Sequence, residues 1–101
     1  MKAAFAKALK NSRKSRGLTQ EDFSCVSSRT YLSMLERGKK SPTLDKIQII
    51  AQTIGIHFLS LMTLTYMYDE KEKDLDTLLL RIKDEVESME HRKRDDCDDL
   101  T

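Results

Sequence analysis

Tryptophan is absent from this 101-residue chain, and glycine, proline, cysteine and histidine are scarce, with 3, 1, 2 and 2 copies. Each scarcity argues against a class of architecture. With so little glycine or proline, few runs of β-branched residues, and abundant Lys, Glu, Leu, Met and Ala, an all-α fold is expected. No apolar stretch approaches the roughly 20 residues that span a bilayer, and "MKAAFAKALKNSRK" turns polar too early for a secretory signal. A cytoplasmic protein with no membrane partner is expected. Cys25 and Cys97 share no metal or redox spacing and read as reduced thiols. His57 and His91 are isolated from any second ligand, which suits surface or capping roles, so neither a metal nor another cofactor is expected.

A chain of this length supports one compact domain with an added arm and buries only roughly 60 to 70% of its unfolded surface, leaving little room for a deep pocket. Enzymatic work is disfavoured further because no nucleophile–base set, phosphate loop or metal cluster is visible. The formal net charge of +1 conceals two regimes. Residues 1–65 carry 11 Lys/Arg against 4 Asp/Glu, and residues 66–101 carry 7 against 13. The basic block suggests an anionic partner such as nucleic acid. The acidic block suits a solvated face, a tail or a partner surface.

The three glycines all fall where a helix should stop. Gly17 follows "AAFAKALKNSRKSR", Gly38 follows "RTYLSMLER" and Gly55 follows "LDKIQIIAQTI". Starts are marked by Thr19 with Asp22 in a capping pattern, by Ser27 or Ser28, and by Thr43 after Pro42. Apolar spacing turns Phe5 and Leu9 inward on the first helix, Leu32 and Leu35 on the third, and Leu44, Ile47, Ile50, Ala51 and Ile54 on the fourth. A fifth helix is expected over about 57–64, with Phe58, Leu61 and Met62 closing the core. Beyond it, Leu75, Leu79, Ile82, Val86 and Met89 are spaced as a heptad seam of about two heptads, which needs the globular part or a twin chain to cover it. The expected organisation is a DNA-binding domain over 1–65, a helical dimerisation arm over 66–94 and a disordered acidic tail over 95–101. No glycine turn or distal glutamate accompanies the tail's four aspartates, so it is not a calcium loop.

A short capped helix, a tight turn and a second short helix, backed by further helices, form the helix-turn-helix pattern, in which the second of the pair enters the major groove. The segments "GLTQEDF", "SSRTYLSMLERGKKSPTL" and "IAQTIGI" resemble the XRE, or lambda-repressor-like (Cro-type), family over residues 5 to about 64. The resemblance implies a five-helix domain and a DNA-binding regulator of bacterial or phage type. It also implies that Gln20 binds phosphate and that Arg13 and Glu36 form an internal ion pair joining the first helix to the third. Two departures stand out. The family usually has two more residues, one of them glycine, where this chain reads "DFSCVSSR", so the second helix should lose its last turn. Ser12 stands where an apolar residue is usual.

Within that frame, groove reading needs donors, acceptors and apolar groups on the exposed face opposite Leu32 and Leu35. Arg29, Thr30, Ser33 and Met34 are the candidate base contacts; Gln20, Ser28, Tyr31, Arg37, Lys39 and Lys40 are the candidate backbone contacts. The expected function is a sequence-specific transcriptional regulator, a repressor bound as a homodimer to a palindromic operator in double-stranded DNA. Two rivals use the same residues differently: an antitoxin whose arm binds a toxin protein, and an interaction adaptor that reads no DNA.

Overall fold

A computed structural model describes residues 1–71 and 73–95, with side chains given through Glu90. The elements are α1 (Lys2–Ser15), a 3₁₀ turn (Gln20–Phe23), α2 (Arg29–Glu36), α3 (Leu44–Ile54), α4 (Phe58–Glu70) and α5 (Leu75–Asp95). The fold is all-α among the described residues: five helical segments lie between Lys2 and Glu70, and a sixth, α5, follows. No strand occurs among the described residues.

Local chemistry explains most boundaries. Gly17, Gly38 and Gly55 all adopt positive φ, and Gly55, at φ 90°, closes α3 with its N–H donating to Ala51 and Gln52 carbonyls. At the starts, Ser28 Oγ accepts from Tyr31 N–H at 3.1 Å and Thr43 Oγ1 accepts from Lys46 N–H at 3.2 Å. His57 takes the capping role open to it: its Nδ1 accepts from Leu59 N–H at 3.0 Å. Thr19 N–H donates to Asp22 Oδ2 at 2.6 Å, which closes a capping box over the 3₁₀ turn. That turn is only four residues long, in keeping with the shortened stretch after it.

The core gathers Phe5, Ala8, Leu9, Phe23, Leu32, Leu35, Ile47, Ile50, Ala51, Ile54 and Leu61. Its extent departs from the apolar spacing at two places. Leu44 is 66% exposed, because the first residue of α3 lies past the edge of the layer that Ile47 begins. The fifth helix runs to Glu70 instead of ending near Leu64, since neither glycine nor proline interrupts "TYMYDE" and the stop comes at Lys71, at φ 55°. The change in charge near Tyr66 therefore falls inside a continuous helix. The added turns pack on α1, where Lys7 Nζ lies 4.7 Å from the Tyr68 ring centre and Asn11 Nδ2 donates to Tyr68 Oη at 3.1 Å.

The seam residues of α5 leave much of their surface to solvent, from 40% at Ile82 to 62% at Met89. Half-buried Leu78, together with Ile82 of the seam, lines a groove shared with Leu59, Met62 and Tyr66 of α4. The acidic tail lies, from residue 96, outside the described residues, as does Cys97.

Candidate nucleic-acid interface

Eight residues make α2, and their order divides it cleanly. Leu32 and Leu35, three apart, are fully buried, while Arg29, Thr30 and Arg37 are exposed and Ser33 and Met34 are half-buried. The helix is thereby anchored by one face and shows the other to solvent. Gly38 follows at φ 72°, and a Cβ built there would lie 3.7 Å from Ala3 Cα, so the turn after α2 sits directly on α1. Lys39 and Lys40 leave that turn exposed.

The C-terminal end of α2 is fixed by charge. Arg13 Nε donates to Glu36 Oε2 at 2.6 Å and Arg13 Nη2 to Glu36 Oε1 at 2.9 Å, a two-point contact between α1 and α2. A third donor, Arg13 Nη1, reaches the Leu18 carbonyl at 2.8 Å. The side chains are only 10% and 4% exposed. The hydrogen bonds to Glu36 hold the Arg13 guanidinium above its ordinary pKa, against the opposing effect of burial. Gln20 joins this network, its Nε2 donating to Glu36 Oε1 at 3.2 Å. Its amide therefore faces the scaffold pair.

Arg29 contacts Glu21 at 3.2 Å, with the side chains 73% and 72% exposed. A pair so wet is worth roughly 0 to 1 kcal/mol, little enough for the arginine to leave it for a stronger partner. Tyr31 is half-buried, with Lys40 Nζ 5.7 Å and Lys46 Nζ 5.4 Å from its ring centre. Lys46, on α3, also donates to the Val26 carbonyl at 2.8 Å. Spacing did not single it out, because tertiary packing across 20 residues brings it to Val26, in the turn before α2. Its sequence signal is a cation in the first turn of a helix, where an acid is favoured.

Of the ten candidate contact residues, Ser28, Arg29, Thr30, Arg37, Lys39 and Lys40 are exposed, and Gln20, Tyr31, Ser33 and Met34 are half-buried. Arg13 and Glu36 are largely buried, and of the α5 stripe Ile82 lines a groove with Leu59, Met62 and Tyr66 of α4. Among the described residues whose side chains are given, no group of three or more His, Cys, Asp or Glu is placed to hold a metal ion. No single described helix is long and apolar enough to cross a membrane.

A one-turn helical segment followed across a tight connection by a helix with one buried and one polar face defines the helix-turn-helix class. Residues 9–61 match the helix-turn-helix family model, and the chain belongs to that family, in its XRE type. It is similar to y4dJ, an uncharacterized HTH-type transcriptional regulator of Sinorhizobium fredii (strain NBRC 101917 / NGR234), with 42% identity over 55 residues, or 52% of this chain and 71% of the relative. No solved structure matches at a significant level.

Proposed function

We propose that this chain is a DNA-binding transcriptional regulator of the cytoplasm, a repressor that reads a palindromic operator as a homodimer through α2. The observation that carries the reading is the division of α2: Leu32 and Leu35 buried, Arg29 and Thr30 exposed, Ser33 half-buried, and Lys39 and Lys40 exposed just after the helix. Arg29 can pair with guanine O6 and N7, Thr30 offers a hydroxyl and a methyl, and Met34 offers apolar contact to a thymine methyl. Tyr31, Ser28, Arg37 and the two lysines then hold sugar and phosphate. Gln20 can serve phosphate only by turning from Glu36.

Selection of bound duplexes from a random pool, followed by salt titration on the winner, tests the reading. Affinity should fall with a log–log slope of about −0.9 per neutralised phosphate. A flat titration, or a pool that yields no preferred sequence, would count against it. On the selected site, Arg29→Ala is expected to lose about 1 to 3 kcal/mol and relax one base position, whereas Lys39→Ala weakens all duplexes alike and lowers the salt slope by about 1. Equal losses across sequences for both variants would remove Arg29 from the reading face.

The exposed stripe on α5 favours a second reading of the arm alone. Leu75, Leu79, Ile82, Val86 and Met89 form an apolar line on a charged helix, suited to a twin copy in a repressor or to a toxin in an antitoxin. A homodimer in sedimentation of the isolated protein supports the first.

A further inference from the structure

We propose that Lys46 is a positioning residue for the reader helix: from α3 it holds the turn that precedes α2, and with it the face of Tyr31, so that α2 meets the duplex at a fixed angle. The proposal rests on the DNA-reading function above.

Its first support is a local rule broken. Thr43 caps α3, which places Lys46 three residues later, in the first turn. A carboxylate there could return a hydrogen bond to the cap residue, as Asp22 does to Thr19 at the 3₁₀ turn. A lysine there instead sets a positive charge near the positive end of the helix dipole, offset by Asp45 one residue earlier. A residue that opposes its own helix calls for a compensating contact elsewhere.

That contact is on α2's side. Lys46 Nζ donates to the Val26 carbonyl at 2.8 Å and stands 5.4 Å from the Tyr31 ring centre. These two partners straddle Ser28, the cap of α2, one before it and one after. The turn itself is closed from the other side, by Val26 N–H and Ser27 N–H donating to the Phe23 carbonyl at 3.0 and 2.9 Å. Phe23 is fully buried, so the residues entering α2 are held between the core and one ammonium group. Where Lys39 and Lys40 are exposed, with Lys40 Nζ 5.7 Å from the Tyr31 ring centre, Lys46 is half-buried and commits one of its three N–H donors to the Val26 carbonyl. Its charge is spent on orientation, not on phosphate.

Lys46→Met keeps the aliphatic stem and removes the donor; Lys46→Gln keeps a neutral donor; Lys46→Arg keeps donor and charge. In the free protein, amide exchange over residues 27–32 should quicken about tenfold in Lys46→Met, the scale of one lost charge-assisted hydrogen bond, while α1 and α4 are unchanged and Lys46→Arg restores protection. On the selected duplex, discrimination against single-base variants should drop about tenfold at an unchanged salt slope. Should Lys46→Met fail to fold, Lys46→Gln carries the same two measurements. Unaltered exchange, or unaltered discrimination in a wild type that is itself selective, overturns the role of Lys46 alone. A salt slope reduced by about 0.9 with discrimination kept would make Lys46 a phosphate contact and also overturn it. A wild type that prefers no duplex overturns the DNA-reading function and the role with it.

Discussion

Glu36→Ala is expected to destabilise the domain by about 3 to 5 kcal/mol, because it leaves the Arg13 guanidinium charged, largely buried and stripped of two hydrogen bonds. For a chain of this size each kcal/mol moves Tm by roughly 4 to 8 °C, so the melting curve should fall by more than about 12 °C. Gln20 loses its acceptor at the same time. The double variant Arg13→Met with Glu36→Leu should cost less than the sum of the single changes, since it removes both charges and refills the space. Denaturant titration of the four proteins measures the coupling. Strict additivity, or a loss of about 0 to 1 kcal/mol for Glu36→Ala, would mean that the two side chains behave as an open surface pair.

Truncation after Lys71 should have the largest effect on binding and little on folding. Among the described residues no buried core residue lies beyond Thr65, and α4 ends at Glu70, so the cut leaves every described core contact in place. Sedimentation is expected to show a helical monomer with a Tm close to that of the full chain. Two linked reading modules gain roughly 10² to 10⁴ in affinity over one, and the operator affinity should drop by a factor in that range. The cut belongs after Lys71 because an end at Tyr66 would divide α4 and remove Tyr68, which α1 contacts through Lys7 and Asn11. If the shortened chain stayed dimeric with full affinity, the apolar stripe of α5 would have another partner.

Local signals were the legible part of the fold. Glycines at positions 17, 38 and 55 and side-chain oxygens at Thr19, Ser28 and Thr43 act on backbone a few residues away, so their meaning is written in the neighbouring letters. The end of α4 carried no such letter: Lys71 adopts a conformation that its residue type does not advertise. Phe23 escaped notice because one 3₁₀ turn has no period to detect, although the residue is fully buried. On α5 the run Leu78, Leu79, Leu80 offers three adjacent faces, and heptad spacing selected Leu79 where packing draws in Leu78. In the site, the outward face of α2 follows from the burial of Leu32 and Leu35. The meeting of Arg13 with Glu36 spans 23 residues of sequence and was reachable through family likeness alone, and Lys46 through neither route.

The seating of Gly38 on Ala3 bears on how the partners share deformation. A reader helix tied to α1 at one end by a two-point ion pair, and followed by a turn where an added Cβ would already touch Ala3 Cα at 3.7 Å, has little compliance of its own. In the proposed homodimer, mismatch between the two reader helices and their half-sites would then fall largely on the duplex. Base steps between the half-sites, touched by no side chain, would be sorted by how readily they flex, and substituting pliant TA steps for a stiff A-tract there should tighten binding without altering a single protein contact.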